Sequence, residues 1–305
     1  MSELKLYRCL VGNRWNCSPA GLSREEFMEK IFYARQDFLS LRPNTLFCPK
    51  PDFTNRVVVK GQEDDVYSRK VMNQILGPGD PKNDHLIDVN FDNSVVIGEE
   101  EVEEVVMTRT KNPADGGIVT GAKNAVAFFN ADCPIIALVE GEKLAVLHAG
   151  YRALMRPIRH EPNIIASALR HFDITNTRAY VGFGIGPCCW KPEYENKPEI
   201  LDPSKIWLGN ILQSALSTTT EKSPFGPGHV SVDLYALSRS MLMLAGIPEN
   251  KILINSWRTC CAEQDGKPIF WSHTRFQAGL QEVDGRNMAI AFLSPNLQND
   301  GFEKP

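Results

Sequence analysis

What this chain of 305 residues lacks narrows the field first. It has no apolar run of about 18 residues, the minimum for a transmembrane helix. The opening MSELKLYRCLVGNRW has no apolar core of the kind a signal peptide needs, so the reading is a soluble, cytoplasmic protein. Basic charge is not in excess: Lys and Arg number 33 against 37 Asp and Glu, a net charge of -4. That balance gives no electrostatic case for a nucleic-acid partner. GxGxxG and GxxxxGK[ST] are both absent, which removes the standard dinucleotide and P-loop sites. Without GxSxG there is no serine-hydrolase elbow, and without CxxC no zinc ribbon or thioredoxin motif. Histidine is scarce. The six, at 85, 148, 160, 171, 229 and 273, form no HxH pair, so a multicopper centre built on many imidazoles is rejected.

What is present points to a folded domain. A hydrophobic content of 43% supports a sizeable core, and the length suits one large domain or two ordinary ones. Eight cysteines stand at 9, 17, 48, 133, 188, 189, 260 and 261. In a long chain without an export signal they are expected as thiols. Two pairs are vicinal, Cys188-Cys189 and Cys260-Cys261. On a strand such neighbours point apart, so one pair would seldom grip one metal.

Taken in order, residues 1–60 read as an N-terminal extension with an amphipathic helix. Ser23 and Glu26 form a capping box, and Phe27, Met28, Ile31, Phe32, Phe38 and Leu41 follow at helical spacing before Pro43. Residues 61–294 read as one α/β domain and 295–305 as a polar tail. Strands are expected over 56–60, 178–186, 251–255, 269–274 and 287–293, with further strand-like runs in 84–106. Helices are expected over 163–172, 203–216 and 234–245, the last capped by Asp233 and stopped by Gly246. Ser272 and His273 fall within the 269–274 strand, with Arg275 just beyond it. Interleaved elements of both kinds suggest an α/β or α+β sandwich.

The organising stretch is 125–152, AVAFFNADCPIIALVEGEKLAVLHAGYR. One apolar run ends in Asn130-Ala131-Asp132-Cys133 and another in His148-Ala149-Gly150-Tyr151-Arg152. Each delivers a metal-capable side chain where the run stops, and Cys with His suits zinc. Gly150 permits close approach, and Arg152 carries a five-donor fork suited to phosphate. A buried Cys and a structural His explain the same residues without chemistry, and spacing alone leaves both readings open.

Several motifs occur together and in order: Ala131-Asp132-Cys133-Pro134, His148-Ala149-Gly150-Tyr151-Arg152, Gly184-Ile185-Gly186-Pro187-Cys188-Cys189, Asp233-Leu234, Ser272-His273-Thr274-Arg275 and Gly285-Arg286-Asn287-Met288-Ala289. Over about residues 86–293 the chain resembles the laccase-domain, or polyphenol-oxidase-like, family. Its members are similar to zinc-dependent purine nucleoside phosphorylases with adenosine deaminase activity. The resemblance implies a four-layer α-β-β-α sandwich with mixed sheets and a site at strand ends. It implies one zinc per chain on Cys133 and His148, inorganic phosphate as co-substrate and a purine nucleoside as the small-molecule partner. Arg152 would hold phosphate, with Arg275 and Arg286 as weaker candidates. Ser272 and His273 would line the nucleoside pocket, and Asp132 would orient a ligand or cap a turn.

The chain departs from the family in three places, one being a glycine-rich amino-terminal motif that it does not show clearly. HAGWRG is here HAGYRA, with Tyr151 and Ala153 substituted. The family's first zinc-ligand histidine falls on Asn90 in Asp88-Val89-Asn90, and His85 lies five residues too early for that register. A catalytic zinc usually takes three protein ligands, and an amide is a poor replacement for imidazole. Two further functions are therefore expected beside the zinc enzyme. One is a thiol hydrolase with Cys133 as nucleophile and His148 as base. The other is a nucleoside binder that has lost turnover.

Overall fold

The structure is a computed structural model that describes residues 3–8, 45–49, 54, 56–60, 66–70, 106–110, 113–121, 124–155, 162–255, 257–264, 266–268, 270–282 and 284–294. The amphipathic helix expected before Pro43, the position of Asn90, His85 and the polar tail lie outside these residues.

The strands in chain order are β1 (Glu3–Arg8), β2 (Thr45–Cys48), β3 (Val57–Val59), β4 (Val66–Lys70), β5 (Val106–Thr110), β6 (Gly116–Thr120), β7 (Asn124–Asn130), β8 (Ile135–Glu140), β9 (Lys143–His148), β10 (Arg178–Gly182), β11 (Leu216–Thr218), β12 (Val230–Val232), β13 (Ile252–Ile254), β14 (Glu263–Gln264), β15 (Lys267–Pro268) and β16 (Asn287–Ser294). Twelve of them form two six-stranded sheets, in the orders β1-β16-β7-β2-β5-β4 and β13-β10-β8-β9-β6-β3. Both sheets are mixed. In the first, β2 runs parallel to both β7 and β5. In the second, β3 is parallel to β6 and β13 to β10, while β8, β9, β6 and β10 meet antiparallel. Strands β1, β2 and β3 all come from the first sixty residues and are members of these sheets.

Period-two alternation explains the layers. Along β8, Ile135, Ala137 and Val139 join the core between the two sheets, with Phe47, Val126, Phe128 and Ala291. Ile136 and Leu138 point the other way, toward the helices. Along β9, Leu144 and Val146 face the sheet-to-sheet core, and Ala145 and Leu147 face the helices. Both faces of these strands are buried, which is why they read as continuous apolar runs. Fully burying a Leu or Ile contributes roughly 1.5–3 kcal/mol, so this double layer carries much of the stability.

The helices are α1 (Tyr151–Met155), α2 (Ile164–Leu169), α3 (Gly209–Ser214), α4 (Leu234–Leu244) and α5 (His273–Gln277). Buried residues of α1 to α4 pack on the outer face of the second sheet. Asn163 caps α2 by accepting from Ala166 N at 2.8 Å. Asp233 caps α4, its Oδ1 accepting from Tyr235 N and Ala236 N at 2.9 and 3.1 Å. The described residues thus form a mixed α/β fold of helix layer, sheet and sheet. Among them no helix is long and apolar enough to cross a membrane.

Three expectations are corrected. The helix expected over 203–216 is broken into a 3-10 turn at Pro203–Lys205, helix α3 and the start of β11. Gly209 packs against the Pro203 carbonyl, where no side chain would fit, so the chain bends there. The strand expected over 269–274 is not formed. Instead Ser272 Oγ accepts from Arg275 N at 3.3 Å and starts α5, satisfying an N–H that a helix start leaves orphaned. Cys188 and Cys189 are not on a strand either. They sit in a turn in which Cys189 N and Trp190 N both donate to Gly186 O, at 3.2 and 3.3 Å, so their side chains do not alternate.

Candidate active site

Antiparallel pairing on both sides of β9 assembles the site. His148 is the last residue of β9 and pairs with Ile135, the first of β8. On the other side Leu147 pairs with Gly116, the first residue of β6. Asp115 and Cys133 lie just before those two strands, so they arrive on opposite flanks of His148. Main-chain bonds hold the ends together: His148 N donates to Asp115 O at 2.7 Å and Ala149 N to Pro134 O at 2.8 Å. His148 shares the strand face of Leu144 and Val146, and its ring lies nearly parallel to Phe128, with centroids 6.2 Å apart.

His148 Nδ1 is 2.8 Å from Asp115 Oδ1, and the two residues are only 6% and 0% exposed. The other oxygen of Asp115 accepts from Thr54 N at 2.5 Å and Thr54 Oγ1 at 2.9 Å. The imidazole also interacts with the Cys133 side chain, which is partly exposed. Burial opposes a charge on His148, but attraction to Cys133 and its hydrogen bonding to Asp115 and Cys133 outweigh it and raise its pKa to about 10. The ring therefore carries its proton at neutral pH. The arrangement is a Cys133–His148–Asp115 series running from the surface inward. Sequence reasoning missed Asp115. Its only local signal is a carboxylate directly ahead of Gly116-Gly117, and nothing in that signal says which residue it will face.

The loop carrying Cys133 is tied from several directions. Asn130 Nδ2 donates to Cys133 O at 2.9 Å and to Phe183 O at 2.8 Å. Asn287 Nδ2 donates to Ala131 O at 3.3 Å and Trp271 O at 2.8 Å, and its Oδ1 accepts from Trp271 N at 2.8 Å. Asp132 accepts from Thr259 Oγ1 at 2.7 Å and Thr274 N at 2.8 Å, joining this loop to α5. Next to it Phe183 has φ +54°, a conformation that non-glycine residues seldom take. Gly184 follows, and a Cβ there would lie 2.7–2.8 Å from atoms of Pro134, too close to fit.

The remaining candidates fall in separate places. Arg152 is exposed on α1. Lys197 has its pKa lowered by burial and then by the charge of Arg152, so two cations stand near each other there. Ser272 is buried as the cap of α5. His273 Nδ1 meets Asp284 Oδ1 at 3.0 Å, and Arg286 grips the same carboxylate with contacts of 2.5 and 3.0 Å. Arg275 is buried, reaches Cys260 O at 3.4 Å and Gln281 Oε1 at 3.2 Å, and leaves its Nε without a partner. Burial first of all lowers its pKa.

The zinc implied by the resemblance needs donors that converge on one point. Cys133 and His148 are adjacent, but Asp115 sits beyond the far nitrogen of the ring and does not converge with them on one point. Among the described residues the donors at this place stop at two, one short of the usual catalytic set. The one group of three metal-capable side chains among the described residues is Cys188, Cys189 and Cys261, with no imidazole in it.

Comparison with known proteins places the chain in a family. A family model described as multi-copper polyphenol oxidoreductase laccase matches residues 83–294. A curated relative from Xylella fastidiosa (strain 9a5c), named purine nucleoside phosphorylase, is 29% identical over 172 residues, covering 55% of this chain and 59% of the relative. Another from Geobacillus stearothermophilus, named purine nucleoside phosphorylase YlmD, is 26% identical over 168 residues, covering 53% and 54%. The chain thus spans somewhat over half the length of the curated relatives it matches. Among solved structures, YlmD from Geobacillus stearothermophilus aligns with a TM-score of 0.57 at 18% identity, over 96% of this chain and 91% of that one. The Bacillus licheniformis protein YfiH aligns at 0.56 and 16% identity, over 91% and 85%. At such identities these likenesses show a shared fold. The family match runs through both strand ends that carry Cys133 and His148, and on that match the chain belongs, as a divergent member, to the multi-copper polyphenol oxidoreductase laccase family.

Proposed function

We propose that this protein is a nucleoside-processing enzyme, a purine nucleoside phosphorylase whose reacting centre is Cys133, His148 and Asp115. The observation that carries this reading is the buried Asp115–His148 bond with Cys133 on the other side of the ring. The names of the curated relatives supply the substrate class.

In phosphorolysis a phosphate oxygen attacks C1′ of the ribose while the bond from C1′ to the purine nitrogen breaks. The electron pair passes to the base, which needs a proton to leave. Protonated His148 supplies that proton, which passes to the base through the Cys133 sulfur at the exposed end of the series. Asp115 keeps Nδ1 engaged, so the other nitrogen is the one that serves Cys133. The proton shed by hydrogen phosphate on forming the ester closes the cycle. Arg152, with Lys197 beside it, holds the phosphate dianion and offsets its charge as the transition state forms.

The same Cys–His–Asp order favours a second reading, a thiol hydrolase in which Cys133 attacks a carbonyl carbon. One assay series separates the two. Adenosine and inosine are incubated with and without phosphate, and base, ribose 1-phosphate and ammonia are measured. Phosphate-dependent release of base, lost in Cys133→Ala and His148→Ala, is the expected result. Ammonia from adenosine without phosphate would mean deamination. No product from any nucleoside, together with a covalent adduct of Cys133 on ester substrates, would overturn the phosphorylase reading in favour of the hydrolase.

A further inference from the structure

The two vicinal cysteine pairs lie far apart in sequence and side by side in space. Gly184 and Arg258 form a parallel bridge, and Thr259 N donates to Gly184 O at 2.9 Å. That alignment sets the turn after β10 against the loop after β13. Cys188 Sγ lies 3.5 Å from Cys189 Sγ and 3.6 Å from Cys261 Sγ, and the three sulfurs all fall within 4.8 Å of one another. Thiolates at about 2.3 Å from a tetrahedral zinc stand roughly 3.8 Å apart, so the spacing already approximates a ligand set.

The surroundings suit a charged sulfur cluster. Arg258 acts on Cys188 with its positive charge, and its guanidinium is fixed over the Tyr235 ring at 3.5 Å. It offsets part of the negative charge that three thiolates would bring. Cys189 is buried, Cys188 partly buried and Cys261 exposed, which gives a closed base and an open entry path. Cys260 is buried and acts on Cys189 electrostatically. None of these groups belongs to the Cys133–His148–Asp115 series.

We propose that Cys188, Cys189 and Cys261 form a second site that binds one thiophilic metal ion, zinc in the first instance, with Cys260 or water in the fourth position. The ion staples the turn after β10 to the loop after β13. Those segments hold the catalytic loop from behind: Ile185 N donates to Asp132 O at 2.7 Å and Thr259 Oγ1 to Asp132 Oδ1 at 2.7 Å. The role is structural, and it stands whether or not the active-site reading holds.

The test uses the full chain, stripped of metal, kept reduced without oxygen and then supplied with zinc. One equivalent per chain should be lost in the pair Cys188→Ser with Cys261→Ser and retained in Cys133→Ala with His148→Ala. Cobalt in place of zinc should give a sulfur-to-metal charge-transfer band of the strength of three or four thiolates, beyond what Cys133 alone could supply. In the unmutated chain, zinc should slow alkylation of Cys188 and Cys261, a readout that needs no variant to fold. Unchanged zinc content in the double serine variant would overturn the proposal. So would equal alkylation rates with and without zinc, or a disulfide between Cys188 and Cys261 in place of metal uptake.

Discussion

Asp115 Oδ1 lies 2.8 Å from His148 Nδ1, and Thr54 holds the other oxygen of the same carboxylate. A buried carboxylate with this geometry fixes the ring's tautomer and favours its protonated form. The bond therefore sets where the imidazole points and, together with Cys133, what charge it carries.

Replacing Asp115 by Asn keeps the shape and removes the charge. Turnover of the preferred nucleoside should fall about 10- to 100-fold, the usual effect of losing a partner that orients a reacting group. The alkaline limb of the pH–rate profile should move to lower pH with the lowered pKa of His148. A steady-state profile of kcat/KM for both proteins checks this, and superimposed profiles would remove Asp115 from the mechanism.

Stability should depend on pH through the same residue. The folded pKa of His148, about 10, stands above its ordinary 6.5, so the folded state holds the proton more tightly than the unfolded chain. The resulting stabilisation is fully present below pH 6.5 and is lost as pH rises to about 10. Urea midpoints measured across that window should decline, and in Asp115→Asn the decline should end at lower pH.

Gly184→Ala places a methyl group 2.7–2.8 Å from Pro134, against backbone as well as side chain. The backbone there cannot give way without moving Cys133. The expected cost is about 1–3 kcal/mol, typical of overpacking. Thermal unfolding reads the cost, and the alkylation rate of Cys133 reads the displacement.

Arg152→Ala, alone and with Lys197→Ala, tests the anion site. KM for phosphate should rise several-fold in the single variant and further in the double, while KM for the nucleoside changes little. Proportional changes in both KM values would place these cations elsewhere in the function.

Much of this was legible from residues alone. The two apolar runs of 125–148 announced strands buried on both faces, because a period-two element covered on both sides has no polar face to display. Asp233 announced its helix because a side-chain cap acts within three residues. Ser272 was harder. Its apolar neighbours Ile269, Phe270 and Trp271 suggested a strand, and the local cap prevailed once Asp132 was in place to accept from Thr274 N.

The sequence by itself determined the family, the strand-rich core and the two residues at strand ends, Cys133 and His148. Each follows from local pattern or from motifs contiguous in the chain. Only the tertiary structure decided that Asp115 is the partner of His148 and that Cys188 meets Cys261. Those pairs are 33 and 73 residues apart, and what joins them is strand register and loop packing. Register is set by the whole buried face of a sheet, so it is not written at any one position.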